Sequence, residues 1–305
     1  MLFPGQGSQY VGMGAELFDA RPDLLTGVAD RVLGWSLREV CLTGPEELLT
    51  STDRAQPSLY ALAFALWMEL AERVGHPPIA AAGHSLGEYT ALAASGAFSF
   101  DEGLRLVAAR ATAMAEAVRQ APSGMAAVLG AAEDKAEEVA AARRAEGGRL
   151  WVANLNAPGQ VVLGGGLEDI DWLVGHGRRL GIRRVVKLNV AGAFHTPLMA
   201  SAVPRLSGAL EQIEMKIPAF RVWANVTATP FDTDQARRLL GRQVVAPVLF
   251  GASLRAMHEA GAEVFVHVGP GDVTAGLARR AVRGCRVLVV SSISQAEEAA
   301  AVLGS

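Results

Sequence analysis

The chain has 305 residues, half of them hydrophobic, which is enough for a sizeable core and predicts one large domain with an insertion or two domains. Its formal net charge of −3 at pH 7 does not predict a nucleic-acid partner. No stretch approaches the roughly 18 consecutive apolar residues of a membrane span, so no membrane partner is expected.

The first residues form a short apolar start, Met1 to Pro4, followed by a glycine-rich stretch that contains Gly5 and Gly7. A dinucleotide-binding fingerprint would need a third small residue where Tyr10 stands, so we reject that interpretation. Residues 58–73 are predicted to form a helix, because apolar side chains recur at positions i, i+3, i+4 and i+7.

A short strand, a tight turn and a helix are predicted around Ser85. Residues 79–82 are small and apolar, as is typical of a buried strand, and residues 86–95 have the pattern of a helix. Gly83 and Gly87 flank the serine in a Gly-x-Ser-x-Gly turn, which is too sharp for large neighbours. The pattern predicts a nucleophilic serine, with helix N–H groups directed at charge that develops beside it.

A second long helix is predicted from Ser99 to about Arg119. Ser99 and Glu102 have the spacing of a capping box, in which each side chain satisfies the backbone N–H of the other residue. Arg110 lies among small and apolar residues of this helix.

Residues 124–188 have a different character from the rest of the chain. Strands and helices are predicted in the order βαββαβ, at residues 125–129, 133–146, 150–154, 160–163, 167–180 and 183–188. This order is that of a ferredoxin-like unit. We therefore expect a ferredoxin-like subdomain at residues 121–188, inserted into a catalytic subdomain formed by residues 1–120 and 189–305.

Helices and apolar strands alternate after the insertion. Helices are predicted from Pro197 to about Ile213, at 234–242, 249–260 and 273–282, and at the end of the chain, with strands near 221–225, 263–267 and 286–290. Such alternation predicts an α/β fold with a mainly parallel sheet covered on both faces.

A serine nucleophile needs a base, and His195 is the best candidate among the six histidines. It lies between a Gly/Ala-rich turn and a helix that starts at a proline, where a side chain can face a cleft. His84 is adjacent to Ser85 and is expected to point away from it. The histidines show no metal-ligand spacing, so no metal site is expected.

Cys41 and Cys285 are the only cysteines, and neither belongs to a C-x-x-C motif. We interpret them as buried, reduced thiols, and the first residues do not resemble a secretory signal. A cytoplasmic protein is therefore expected.

Five motifs occur in an order that resembles one enzyme family. They are Phe3-Pro4-Gly5-Gln6-Gly7-Ser8-Gln9, Gly83-His84-Ser85-Leu86-Gly87-Glu88-Tyr89, Asn154-x-Asn156-Ala157-Pro158-Gly159-Gln160-Val161-Val162, Gly192-Ala193-Phe194-His195-Thr196-Pro197-Leu198-Met199 and Gly269-Pro270-Gly271. Over nearly its whole length, the chain resembles malonyl-CoA:acyl carrier protein transacylases and the acyltransferase domains of polyketide synthases. The resemblance implies an α/β-hydrolase-like core with an inserted ferredoxin-like subdomain, which agrees with the predicted order of elements.

The resemblance implies a Ser-His dyad. Ser85 would be the acylated nucleophile, and His195 the general base and then the general acid. The backbone carbonyl of Gln243, rather than an aspartate, would orient the histidine. The backbone N–H groups of Gln6 and Leu86 would form the oxyanion hole.

The resemblance also implies substrate-binding residues. Arg110, 25 positions after Ser85, matches the arginine that binds the free carboxylate of the substrate, for which a planar guanidinium is suited. Gln56 and Asn156 match positions that line the site. Phe194 beside the base leaves little room for an α-methyl branch, which favours malonyl over methylmalonyl.

The implied reaction moves a malonyl group from coenzyme A, through an acyl-serine, to the phosphopantetheine thiol of an acyl carrier protein, in polyketide or fatty acid biosynthesis. Coenzyme A enters as the substrate thioester, no bound cofactor is expected, and a monomer is expected. The carrier is usually acidic in this family, and two basic clusters are candidates for its docking, with the first preferred. The clusters are Arg178, Arg179, Arg183, Arg184 and Lys187, and Arg279, Arg280, Arg283 and Arg286.

Three positions depart from the family pattern: Ala111 replaces a usual glycine, Thr196 a common serine, and only Met1 and Leu2 precede Phe3 where a longer strand is usual. Two alternatives share the motifs. One is an acyl hydrolase of the same fold acting on acyl-carrier-protein thioesters, which would have no carboxylate for Arg110 to bind. The other is a non-catalytic docking module, which would not require the intact dyad.

Overall fold

Two β-sheets organise the chain in the computed structural model, which describes residues 1–304. A five-stranded sheet has the order β7-β2-β1-β8-β9, and a four-stranded sheet has the order β4-β5-β3-β6. The strands are β1 (Leu2–Phe3), β2 (Ala80–Gly83), β3 (Ser123–Leu129), β4 (Leu150–Ala157), β5 (Gln160–Gly166), β6 (Arg184–Lys187), β7 (Arg221–Trp223), β8 (Val264–Val268) and β9 (Arg286–Val290).

Helices cover the sheets and make up most of the remaining structure. They are α1 (Leu17–Ala20), α2 (Ala29–Leu33), α3 (Leu37–Thr43), α4 (Glu46–Thr50), α5 (Thr52–Val74), α6 (Gly87–Ala94), α7 (Phe100–Gln120), α8 (Glu133–Ala145), α9 (Leu167–His176), α10 (Val203–Glu211), α11 (Thr233–Gln243), α12 (Phe250–Glu259), α13 (Val273–Ala281) and α14 (Ile293–Leu303), with a π-helical turn at Asp23–Val28 and a 3₁₀ helix at Pro197–Ala202. Among the helices of residues 1–304, none is long and apolar enough to cross a bilayer.

All neighbouring strands of the five-stranded sheet run parallel, and the central strands β1 and β2 are buried on both faces. Successive residues of a strand face opposite sides. Phe3 and Ala81 therefore belong to the large core that includes residues of α5, α6 and α7, whereas Leu2 and Ala82 belong to a second core with residues of α12 and α13. The predicted parallel α/β sheet is confirmed.

The carboxyl ends of four parallel strands bring the functional segments together. The loop after β1 contains Gln6, the turn after β2 contains Ser85, Asn225 follows β7, and Gly269 follows β8. In an open α/β sheet, ligands bind in the crevice at this edge. The edge therefore identifies where a substrate cleft is expected.

The four-stranded sheet is antiparallel and is built from the sequence β3-α8-β4-β5-α9-β6. It has its own core of apolar side chains. The entry and exit strands β3 and β6 pair side by side, and the Leu188 N–H continues this pairing with a hydrogen bond of 2.9 Å to the Met125 carbonyl. At the opposite edge, Val248 pairs with β4 through the Leu155 N–H and the Ala153 carbonyl, each at 2.9 Å.

Some predicted boundaries are wrong. Helix α5 begins at Thr52, six residues before the predicted start, and it includes Pro57. The predicted helix from Pro197 to Ile213 is a 3₁₀ helix followed by α10, because Pro204 has no N–H to continue the first helix. Helix α9 ends at His176, four residues before its predicted end.

Candidate active site

Ser85 lies at the apex of the turn between β2 and α6, with a left-handed φ of +53°. The turn requires glycine on both sides. A Cβ atom on Gly83 would lie 1.8 Å from the Gly87 carbonyl carbon, and one on Gly87 would lie 2.2 Å from the Phe3 oxygen. The predicted strand, tight turn and helix are therefore present, and they aim the serine out of the carboxyl edge of the sheet.

His195 lies directly against this serine. Its Nε2 is 2.7 Å from Ser85 Oγ, and its Nδ1 is 2.7 Å from the carbonyl oxygen of Gln243. Because a carbonyl only accepts, Nδ1 carries the proton, and Nε2 is left to accept the serine proton. The His195 N–H donates to the Val244 carbonyl over 3.1 Å, so two carbonyls of one segment hold the residue at its left-handed φ of +61°.

The imidazole of His195 is buried and close to a positive charge. Burial, and to a lesser extent the charge of Arg110, lowers its pKa to about 3, while the hydrogen bond to the Gln243 carbonyl acts in the opposite direction. A neutral imidazole can accept a proton from serine, whereas an imidazolium cannot. The surroundings of His195 therefore keep it in the form that a general base requires.

Arg110 reaches Ser85 from the interior of the protein, where its side chain is fully buried. Nη2 donates to Ser85 Oγ and to Gln243 Oε1, both over 3.0 Å, and Nη1 donates to Gln56 Oε1 over 2.5 Å. All three acceptors are uncharged, and Arg110 forms no salt bridge within the described chain. Burial lowers its pKa. The site thus contains a cation without a directly bound anion.

A cleft of about 460 Å³ lies in front of the dyad, between the two sheets. Its lining includes Gln6, Gln56, Ser85, Leu86, Phe194 and His195 on one side, with Asn154, Asn156 and Gln160 from the antiparallel sheet. Seven of the nine predicted site residues line the cleft directly. Arg110 and Gln243 lie behind Ser85 and reach it by the hydrogen bonds described above.

His84 also lines the cleft, where its side chain contacts Asn156 and Phe250. Its Nε2 donates to Asn156 Oδ1 over 2.7 Å, and its ring packs edge-on against Phe250. Burial lowers the pKa of His84. The role of Asn156 is therefore linked to His84 in the wall of the cleft, which local sequence patterns could not indicate.

The amides of Gln6 and Leu86 are available as donors. Neither N–H has an acceptor among residues 1–304, and both residues line the cleft on either side of Ser85. Leu86 immediately precedes α6, so the helix dipole adds to the partial positive charge there. The pair has the character of an oxyanion hole.

Two buried residues with no predicted role, Glu88 and Asn225, complete the site. Asn225 accepts the Ser85 N–H at Oδ1 over 2.8 Å and donates from Nδ2 to the Gly83 carbonyl over 2.7 Å. Glu88 accepts the Asn225 N–H over 2.9 Å and also accepts from Gln243 Nε2. Glu88 belongs to the motif around Ser85 and Asn225 ends a predicted strand, but neither signal indicated a role for these side chains.

Burial raises the pKa of the Glu88 carboxyl to about 8, although its two hydrogen bonds and the charge of Arg110 act in the opposite direction. No group of three or more His, Cys, Asp or Glu side chains that could hold a metal ion occurs in the described part of the chain.

Comparison with known proteins gives consistent matches over the whole chain. The family model described as the acyl transferase domain matches residues 1–304. The polyketide biosynthesis protein ThaF of Burkholderia thailandensis is 39% identical over 92% of this chain, which spans only 24% of that protein. The malonyl CoA-acyl carrier protein transacylase of Bacillus subtilis is 36% identical over 95% of this chain and 92% of its own length.

Solved structures agree with the curated relatives. The malonyl CoA-acyl carrier protein transacylase of Coxiella burnetii is 32% identical, with a TM-score of 0.94 over 100% of this chain and 97% of its own. A malonyl-transacylase in complex with its type II PKS acyl carrier protein is 34% identical, with a TM-score of 0.94 over 99% of this chain and 98% of its own.

Proposed function

The chain belongs to the acyl transferase domain family, and on that premise we propose that it transfers malonyl groups from coenzyme A to an acyl carrier protein through an acyl-serine. The relatives named malonyl CoA-acyl carrier protein transacylase, one of them matched over 92% of its length, support this reaction. Relatives include proteins named for polyketide biosynthesis and for malonyl transfer to acyl carrier proteins. Polyketide and fatty acid biosynthesis therefore both fit the proposal.

The observation that carries the proposal is the buried Arg110 beside the nucleophile. An uncompensated guanidinium costs free energy in the interior, and it is stabilised when an anion binds. A malonyl group on Ser85 brings a free carboxylate into this region, and a guanidinium can pair with a carboxylate through two parallel hydrogen bonds. A simple acyl chain offers no such partner.

In the proposed first half-reaction, His195 Nε2 accepts the proton of Ser85 Oγ as that oxygen attacks the thioester carbonyl. The amides of Gln6 and Leu86 donate to the oxyanion, and loss of one such donor typically costs about 10²–10³ in rate. The imidazolium then protonates the departing sulfur of coenzyme A. The Gln243 carbonyl accepts from Nδ1 throughout and keeps the ring oriented.

The second half-reaction reverses these roles. The phosphopantetheine thiol of the carrier protein enters the cleft, His195 takes its proton, and the sulfur attacks the Ser85 ester. The same donors stabilise the second tetrahedral oxyanion, and His195 returns the proton to Ser85 Oγ. No bound cofactor is needed in this scheme.

Phe194 supports malonyl as the preferred acyl group. Its side chain is 6% exposed, lines the cleft and precedes His195 in the chain. A methyl branch on the acyl group would have to displace this ring. Exclusion of one methyl group is worth about 1–3 kcal/mol, so the proposal is a preference rather than an absolute selection.

Carrier-protein docking is proposed at a basic groove beside the cleft. The groove is lined by Arg183, Arg184 and Arg280, so it joins members of both basic clusters found in the sequence. Arg280 Nη1 donates to Gln160 Oε1 over 3.2 Å, and Gln160 lines the catalytic cleft. An acidic carrier bound here would have a short path for its phosphopantetheine arm.

The same proposal includes the finer description of the fold. Residues 1–120 and 189–305 would form an α/β-hydrolase-like catalytic subdomain, and residues 121–188 a ferredoxin-like subdomain. In the antiparallel sheet, the four strands taken in chain order lie in the spatial order 2-3-1-4, which supports the ferredoxin-like assignment. We propose that the protein acts as a monomer in the cytoplasm.

The decisive experiment is the intact mass of the protein after brief incubation with malonyl-CoA. The wild type should gain one malonyl group, Ser85→Ala should gain none, and addition of a holo acyl carrier protein should discharge the adduct. Absence of an adduct, together with release of free acid from simple acyl thioesters, would instead identify an acyl hydrolase of this fold.

A further inference from the structure

Ser85 has a left-handed backbone conformation, which its surroundings must stabilise. A non-glycine residue with a left-handed φ of +53° is strained, and such strain persists only where the surroundings over-determine the conformation. The glycines on either side permit the turn but do not fix the direction of the serine. Fixation must come from groups bonded to the Ser85 backbone.

Two side chains distant in sequence bind that backbone. Asn225 Oδ1 accepts the Ser85 N–H over 2.8 Å, and Gln243 Nε2 donates to the Ser85 carbonyl over 2.9 Å. Asn225 Nδ2 also donates to the Gly83 carbonyl, so one carboxamide spans the turn from before the serine to the serine itself. Both residues are fully buried.

Glu88 connects these two side chains. One carboxylate oxygen accepts the Asn225 N–H over 2.9 Å, and the other accepts from Gln243 Nε2. Glu88 is 1% exposed, and within the described chain it forms no salt bridge. Burial of this carboxyl group is unfavourable, which is why its pKa is raised, and a packed apolar residue would serve stability better.

The bond from Gln243 to the Ser85 carbonyl has a consequence for the next amide. In a planar trans peptide, the C=O of one residue and the N–H of the next point in opposite directions. Because the Ser85 carbonyl points toward the Gln243 side chain, the Leu86 N–H points away from Gln243. Leu86 itself lines the cleft. This bond, together with the 3.1 Å bond from the Glu88 backbone N–H to the same oxygen, thus sets both the serine conformation and one oxyanion donor.

We propose that Glu88 and Asn225 are positioning residues, which act with the Gln243 side chain to fix the backbone of Ser85 and the direction of the Leu86 N–H. Glu88 holds Asn225 and Gln243 in place by hydrogen bonds. Asn225 then binds the Ser85 N–H, and Gln243 binds the Ser85 carbonyl. The inference rests on the proposed acyl transfer, because it assigns these residues to the acylation step.

The test compares two acyl donors in Glu88→Gln and Asn225→Ala. Glu88→Gln keeps the side-chain volume but places an amide N–H against one of the two donors. Acylation of Ser85 is followed by quenched intact mass with malonyl-CoA and by the burst with p-nitrophenyl acetate, whose acetyl group has no carboxylate for Arg110. We expect both acylation rates to fall together by about 10- to 100-fold, with the KM for malonyl-CoA little changed.

Asp169→Asn is the matched control. Asp169 is a buried carboxylate in the antiparallel-sheet region, where it accepts from Arg143 Nε and the Arg149 N–H. This variant should lose thermal stability without loss of acylation rate. If one positioning variant does not fold, the other carries the test, because each removes a different bond of the same network.

Three results would overturn the proposal. One is an acylation rate that falls with malonyl-CoA but not with p-nitrophenyl acetate, which would mean that the effect passes through Arg110. The second is unchanged acylation in a folded variant, and the third is an equal loss in Asp169→Asn. A wild type that p-nitrophenyl acetate acylates but malonyl-CoA does not would contradict the proposed function instead, while the p-nitrophenyl acetate comparison would still test the positioning role.

Discussion

Arg110 Nη2 donates a hydrogen bond of 3.0 Å to Ser85 Oγ, the same oxygen that His195 Nε2 contacts at 2.7 Å. In the resting protein, the nucleophile therefore occupies part of the guanidinium fork. A positive charge at this distance stabilises developing negative charge on the serine oxygen. In the proposed reaction, acylation would turn this oxygen into an ester and a poorer acceptor, which would free the guanidinium for a carboxylate on the acyl group.

Arg110→Ala should reduce kcat/KM for malonyl-CoA more than that for acetyl-CoA. Hydrogen bonds to a charged group contribute about 1.5–3 kcal/mol, so we expect a loss of about 10- to 100-fold in the malonyl-to-acetyl ratio. Steady-state kinetics with each thioester measures it. Arg105→Ala is the control, because Arg105 lies on the same helix but is exposed and pairs with Asp101. An equal loss with both substrates would contradict a carboxylate-binding role.

Phe194→Ala should increase the use of methylmalonyl-CoA relative to malonyl-CoA. Removal of the ring opens space beside His195, and relief of one methyl clash corresponds to about tenfold or more in the ratio. Direct competition of the two thioesters, read by mass of the acyl-enzyme, gives this ratio. Phe220→Ala, which removes a buried ring that packs on Trp67, should lower stability and leave the ratio unchanged. An unchanged ratio in Phe194→Ala would remove this residue from selectivity.

The acylation rate should persist in acid. His195 has a pKa lowered to about 3, so the imidazole remains neutral as the pH falls through the usual histidine value of about 6.5. In Arg110→Ala, loss of the nearby positive charge removes one cause of the lowered His195 pKa. The acid limb of the pH–rate profile should therefore move to higher pH. The p-nitrophenyl acetate burst, measured against pH in both proteins, provides the comparison. A wild-type limb near pH 6.5 would contradict the described electrostatics.

Gly269→Ala should slow acylation through the loop that carries Gln6. Gly269 has a φ of +144°, and a Cβ atom there would lie 2.6 Å from Pro4 Cγ, in the loop after β1. Movement of that loop displaces the Gln6 amide, and one misplaced oxyanion donor costs up to about 10²–10³ in rate. Gly284→Ala is the control, since Gly284 also has a positive φ but no atom within 4 Å of the added Cβ. Equal effects of the two variants would indicate backbone strain rather than the clash.

Sequence patterns predicted the structural elements that depend on residues close together in the chain. The capping box of Ser99 and Glu102 is present at the start of α7, and the glycines around Ser85 form the expected turn. The strand order of the parallel sheet did not follow from such patterns, whereas the order βαββαβ of the inserted elements predicted a ferredoxin-like unit. The start of α5 was missed because Pro57 lies within the helix, where a proline usually indicates a boundary.

The connections that complete the site join residues far apart in the chain. Asn225 binds the backbone of a serine 140 positions away, and the Gln243 side chain binds one 158 positions away. Neither contact leaves a periodicity or a motif in a single sequence. The family resemblance indicated the Gln243 backbone, but the role of its side chain and the burial of Glu88 emerged only from the fold.

The side-by-side pairing of β3 and β6 makes the antiparallel sheet an exchangeable module. The chain leaves the rest of the fold near Ser123 and returns near Leu188 at neighbouring positions, so an exchange needs two adjacent junctions, and it must preserve the close packing of Gly164 against Thr196 and the pairing of β4 with Val248. A chimera that carries the equivalent segment of a relative would keep the nucleophile and base in place. It would replace the wall that holds Asn154, Asn156 and Gln160 and the part of the basic groove that holds Arg183 and Arg184, while Arg280 would remain. We therefore expect such an exchange to alter one wall of the cleft and part of the carrier groove together, while Phe194 and Arg280 stay unchanged.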